Sequence, residues 1–199
     1  MEKKNLMRTT AIIGLIGAIL FALLWTSAVI ADGNWVLGEE TLSELGGDRP
    51  GRLYFNTGVI VMGIMGLLFA VGLFLILKED LLGRIGTSVL FVGAVALIGV
   101  GIFPITTGEY HTFFSYAFFG LMLVTMFLLA LPIWRECRLG PLGGIVTVGA
   151  LAVSLVFLFT SSIPLTEAVA VICLLIWTVT ISTLILTLPM RRKGFGAGN

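Results

Sequence analysis

Long uncharged apolar runs alternate with short polar segments along nearly the whole chain. Hydrocarbon offers no partner to a bare backbone N–H or C=O, so a crossing segment must satisfy its own, and a helix of about 20 apolar residues does so. Six runs qualify, over Thr9–Ala31, Leu53–Leu77, Ile85–Ile105, Thr112–Trp134, Gly143–Ile163 and Ala168–Met190. None of them holds an Asp, Glu, Lys, Arg or His. The pattern predicts an all-α integral membrane protein, one membrane domain over residues 1–199 built as a six-transmembrane-helix bundle. The basic start, the first apolar run and Val29-Ile30-Ala31 ahead of Asp32 also resemble a cleavable signal peptide. The run exceeds the roughly 7–15 residues such a segment uses. Gly14, Ala18 and Ala22 add a small-residue ridge suited to helix packing, so a permanent first span is the reading adopted.

Composition removes whole classes of function. Of 199 residues 58% are apolar and 12% charged, and the mean hydropathy is +1.09. A soluble domain of that length would need far more polar surface. The formal charge of +1 and the lack of any aromatic-basic motif exclude a nucleic-acid-binding protein. Cys137 falls in a turn and Cys173 in the last span, so no disulfide framework is expected. One histidine and two separated cysteines cannot build a multi-histidine or thiolate metal centre, and no metal and no cofactor is expected.

Charge also orients the bundle, because Lys and Arg in short connections stay on the cytoplasmic side. Lys3, Lys4, Arg8, Lys78, Arg84, Arg135, Arg138, Arg191, Arg192 and Lys193 fall on the side of the termini, leaving Arg49 and Arg52 for the other. The expectation is a multi-pass protein of the cell membrane with both termini cytoplasmic. Asp32, Glu39, Glu40, Glu44, Asp48, Glu109 and Glu167 then make the outer face the acidic one.

The long first connection, 32–52, is where a compact bundle would carry function. Thr41-Leu42-Ser43-Glu44 matches a capping box and Gly46-Gly47 a stop, predicting a short extracytoplasmic helix. Leu42 and Leu45 would lay an apolar edge on the membrane, with Trp35 anchored at the headgroups, and the segment would form a lid over the bundle. A solvated loop with an incidental box is the plainer alternative. Arg49 and Arg52 at the start of the second span suit a phosphate or carboxylate, or else they pair with Glu44 and Asp48 or reach to headgroups. Asn56, one turn inside the span, serves either a ligand or an interhelical hydrogen bond. In the second outer loop Glu109, Tyr110 and His111 bring an acid, a phenol and the single imidazole together. A carboxylate beside that imidazole is either an acid/base pair or a tie between loops. The third outer loop, Pro164-Leu165-Thr166-Glu167, faintly echoes the second, Pro104 to Glu109. Capping chemistry explains that without a repeat.

Leu42-Ser43-Glu44-Leu45-Gly46, Tyr54-Phe55-Asn56-Thr57-Gly58 and Gly101-Ile102-Phe103-Pro104 followed by His111 are similar to a known pattern. Over nearly its whole length the chain resembles the prokaryotic six-span membrane family catalogued as domain of unknown function nine-nine-eight. The resemblance marks Ser43, Glu44, Asn56, Pro104 and His111 as family-like positions and implies six helices with an unassigned role. It also implies a distant likeness, in fold, to the eukaryotic DRAM and Sfk group, which is linked to lipid handling.

The function expected first is a membrane protein whose extracytoplasmic polar pocket binds a membrane lipid headgroup or a small anionic ligand. Arg49 and Arg52 would take the anionic part, Glu44, Asn56 and His111 would orient the rest, and Ser43 and Tyr110 complete the ligand-binding set. A second reading is a lipid-modifying enzyme with His111 as base and Glu44 or Glu109 as partner, so enzymatic activity stays open. Small-solute transport comes third, since no midplane ionisable group or broken helix is evident; Thr147, Ser154, Thr180, Thr183 and Thr187 are hydroxyls of the kind that bond within or between helices. Gly66 with Ala70 makes a ridge that packs within one bundle or between two, leaving a homo-oligomer open.

Overall fold

The computed structural model describes residues 2–187. Six long helices carry the chain: α1 Glu2–Asp32, α2 Arg52–Leu77, α3 Leu81–Ile102, α4 Glu109–Arg135, α5 Gly140–Thr160 and α6 Ile163–Thr187. All six are long and apolar enough to cross a membrane. The expected end of the last span, Met190, lies outside the described residues.

Local chemistry sets the ends of these helices. Gly33, at φ 73°, stops α1 and returns its N–H to Val29 O at 3.0 Å, the left-handed cap that glycine adopts without a Cβ penalty. Asp80 starts α3 by accepting from Gly83 N at 3.0 Å. Pro164 sits in the first turn of α6, where its missing N–H costs no helical bond. Helices start earlier than apolarity alone suggests, α3 at its Asp80 cap and α4 and α5 without a side-chain cap. α3, α4, α5 and α6 begin at Leu81, Glu109, Gly140 and Ile163 rather than at Ile85, Thr112, Gly143 and Ala168. His111 and Glu167, expected in loops, stand on helix, His111 in the first turn of α4 and Glu167 just past the first turn of α6.

Each helix packs against its neighbours in the chain and α6 returns to α1, so the bundle is a closed ring. Close approach depends on missing side chains. A β-carbon on Gly99 would lie 2.3 Å from Phe114 Cδ1, so α3 can accept the α4 ring only because that position is glycine. The expected ridge on α1 works inside the ring: Gly14 faces Phe69 and Ser182 Oγ, and Ala18 is buried. Gly66 rests near Ala94 of α3, within the same bundle. At the centre Trp177 is wholly buried, edge-on to Phe69 at 5.9 Å, with its indole N–H donating to Thr147 Oγ1 at 2.9 Å. Large apolar side chains such as Phe159, Ile30 and Phe127 face outward, the surface a lipid solvent requires.

The first connection contains a short 3₁₀ helix, Leu42–Gly46, seated across one end of the ring. Leu42 and Leu45 are 1% and 0% exposed, so its apolar edge plugs into the bundle instead of lying on the membrane. Burial inside a ready-made mouth removes both leucines from water more completely than a membrane surface can. Trp35 braces the segment, donating its indole N–H to Thr41 O at 2.9 Å and packing edge-on to Trp25. This element is the lid helix below, and its end of the ring the lid rim.

Candidate functional site

A cavity of about 450 Å³ opens beneath the lid helix, walled by α4, α5 and α6. Its depth is mainly apolar, with Phe119, Met122, Leu123 and Met126 from α4 and Leu158 and Leu174 opposite, beside the Ser154 hydroxyl of α5. Its lid-rim end is polar, with Thr41, Ser43, His111, Ser115 and Glu167. α4 and α5 meet closely near their connecting turn, where a β-carbon on Gly144 would lie 2.4 Å from Trp134, while the cavity occupies the space between them towards the lid rim. Exposed Tyr116 and Leu158 stand at its edge, so the mouth opens sideways through the wall of the ring. A smaller lumen of about 90 Å³ at the ring's centre shares Ser43, Ser115, Met122 and Glu167 with it.

Two polar anchors hold the lid helix. Glu167 accepts from Leu42 N at 3.1 Å and from Ser43 Oγ at 2.8 Å, a carboxylate set against the free amide end of the lid helix. Asn56 Nδ2 donates to Gly46 O at 2.9 Å at the opposite end. Asn56 thus supports the lid, and a β-carbon on Gly46 would fall 2.3 Å from its Oδ1. Glu44 accepts from Thr41 N at 2.8 Å, which is the carboxylate half of the predicted capping box. Thr41 Oγ1 is buried without a hydrogen-bond partner among the described residues.

The two outer guanidiniums do not meet at this cavity. Arg49 forms an ion pair with Glu40 and lies 3.4 Å from Asp32 Oδ1, on the flank of the first connection. The guanidinium holds the Glu40 carboxyl below the ordinary carboxylate range, and Glu40 in turn raises Arg49. Arg52 is mostly exposed, 3.5 Å from Asp48, and borders a pocket of about 200 Å³ with Asn56, Pro104 and Thr106. Glu109 is exposed at the start of α4. Tyr110 is exposed too, and stacks on Phe103 at 5.6 Å. The residues singled out in the sequence share one rim but divide: Ser43 and His111 line the cavity, Arg52 and Asn56 the second pocket, Arg49 its own cluster, and Glu44, Glu109 and Tyr110 line neither pocket.

His111 is buried, with both ring nitrogens engaged. Nδ1 lies 2.8 Å from Phe103 O and Nε2 3.1 Å from Ser115 Oγ. A carbonyl oxygen only accepts, so the proton belongs on Nδ1 and the Nε2 lone pair faces the serine hydroxyl. Phe103 is held for this task by stacking on Phe114 at 5.2 Å. Neither Glu44 nor Glu109 bonds to the imidazole; Glu44 is taken up by Thr41.

Sequence reasoning passed over two residues of this cavity. Glu167 looked like one more acidic loop residue, yet Pro164 starts the helix just ahead of it and turns it inward. Ser115 is four residues after His111, the spacing that places two side chains on one helical face. Both signals were present in the caps and the register.

The family model described as "Protein of unknown function (DUF998)" matches residues 15–184. No curated protein and no solved structure matches the chain.

Proposed function

The chain belongs to the family described as protein of unknown function DUF998; from that premise we propose that this polytopic membrane protein binds a membrane lipid in the cavity beneath its lid. The acyl part lies along Phe119, Met122 and Leu123, and the polar end meets Ser43, His111 and Glu167. One observation carries the reading: a cavity of about 450 Å³ that is mainly apolar in depth, polar at one end and open through the side of the ring. That volume falls in the range of small-molecule sites, roughly 300–1,000 Å³. A side mouth admits a molecule already dissolved in the bilayer, whereas a water-soluble ligand would need a route past the lid.

The headgroup end sits at the lid rim, and the crowding of Lys and Arg at the other rim supports an extracytoplasmic lid. Neither Arg49, occupied by Glu40 and Asp32, nor Arg52, 3.5 Å from Asp48 beside a separate pocket, lines this cavity, so the polar end of the lipid is met by Ser43, His111 and Glu167. Native mass spectrometry of the protein released from nanodiscs tests the reading. The protein should carry a lipid, Leu123→Trp should strip it by filling the cavity, and inorganic phosphate alone should not compete. Undiminished lipid in a folded Leu123→Trp variant would overturn it.

A further inference from the structure

We propose that Ser115 and His111 form a nucleophile–base pair that transfers the acyl group of an ester lipid held in the cavity beneath the lid. The proposal rests on the lipid-binding reading and assigns that site a reaction. Most helical hydroxyls here turn back on their own helix: Thr10, Thr26, Ser27, Thr87, Ser88 and Thr147 each donate to the carbonyl four residues before. Ser115 instead points its hydroxyl at the His111 imidazole, 3.1 Å from Nε2. The imidazole is oriented by a third group, the Phe103 carbonyl at 2.8 Å from Nδ1, which leaves Nε2 free to accept the serine proton. A nucleophile touching a base, with the base held by an orienting acceptor, is the arrangement that activates a serine. Both side chains line the cavity.

A second feature of the cavity points to a reactant. The mainly apolar depth supplies the place for an acyl chain, and the exposed edge at Tyr116 the route from the bilayer.

The step balances with residues of this chain and water. Ser115 Oγ bonds to the ester carbonyl carbon while His111 Nε2 takes the hydroxyl proton. The carbonyl–alkoxy bond then breaks and Nε2 returns that proton to the departing alcohol, leaving an acyl-serine ester. Water from the lid rim attacks that ester with the same imidazole as base, releasing the fatty acid and restoring the serine hydroxyl.

The test uses the whole protein in nanodiscs and a fluorophosphonate carrying a long alkyl chain, with the adduct mapped by peptide mass spectrometry. The expected result is phosphonylation at Ser115, absent in Ser115→Ala and slowed about 100-fold in His111→Gln, the order of contribution a general base makes. Ser115→Cys, alkylated by iodoacetamide in a His111-dependent manner, gives the same information should Ser115→Ala fail to fold. Unmodified Ser115 in protein that still carries lipid by native mass spectrometry would overturn the proposal, reduce the pair to a structural hydrogen bond and leave lipid binding standing. If lipid is absent from the native protein and Ser115 is unmodified, both readings fall.

Discussion

Glu40 and Arg49 show how much a single pair decides in the first connection. Arg49 donates to both carboxylate oxygens of Glu40 and also reaches Asp32, tying the end of α1 to the segment just before α2. The Arg49 hydrogen bond lowers the Glu40 carboxyl relative to its ordinary value. A group whose folded value is lowered contributes stability above its unfolded value, about 4.3 for Glu, and loses that contribution as pH falls through the folded value. Arg49, raised, stays protonated across the same window and adds no step of its own. The hydrogen-exchange protection factors of residues 33–41, taken relative to the intrinsic rate at each pH, should therefore stay flat as pH is lowered towards the ordinary carboxylate range and fall only below it. Glu40→Gln should exchange faster at neutral pH and lose the acid step. An acid step that persists in Glu40→Gln would assign it to another carboxylate.

The lid helix depends less on its own propensity than on what grips its ends. A five-residue 3₁₀ turn has too few internal bonds to persist alone. Burial of Leu42 and Leu45 and the bonds from Glu167 and Asn56 supply the rest. Glu167→Ala removes the acceptor for two of those bonds. Hydrogen bonds to charged groups contribute roughly 1.5–3 kcal/mol in water-facing proteins, while those within membranes average nearer 0.6 kcal/mol. At a rim between the two, a loss of about 1–2 kcal/mol is expected, on the order of a tenfold rise in the open population. A cysteine at Leu45 should then react about tenfold faster with a thiol reagent in the Glu167→Ala background, with the six long helices intact by circular dichroism. Equal rates in the two backgrounds would remove Glu167 as a latch.

This element also shows where reading the chain stops short. Apolar runs announce spans because hydrocarbon rejects charge, so six helices were legible from the pattern alone. The same filter begins a span only after the last charge, whereas a helix can begin ahead of that charge, and that gap hid His111 and Glu167 on helical turns. Two leucines three apart share a face, but spacing does not say whether that face meets lipid or a bundle mouth; Leu42 and Leu45 chose the mouth. Nor does spacing reveal that Arg49 is spent on Glu40, since the fold of the loop makes that pair.

At the scale of the whole molecule, every reading of the site assumes that the lid rim and the rim of the termini lie on opposite sides of a bilayer. The ring requires it: six consecutive crossings place the α2–α3 and α4–α5 turns with the N-terminus, and the lid, the α3–α4 turn and the α5–α6 turn at the other end. Arg84, Arg135 and Arg138 crowd the first rim and Asp32, Glu44 and Asp48 the second, the asymmetry from which the proposed orientation, basic rim to the cytoplasm, is argued. Cys137 is exposed in the α4–α5 turn, and Asp48 is exposed beside the lid. In intact cells an impermeant maleimide should therefore label Asp48→Cys, in a Cys137→Ser background, without permeabilisation. The native Cys137 should be labelled only after the membrane is opened. The reverse pattern would turn the bundle over and place the lipid mouth towards the cytoplasm with its geometry unchanged. Labelling of both positions from one side would break the six-crossing ring itself, and with it the cavity that Ser43, His111, Ser115 and Glu167 share.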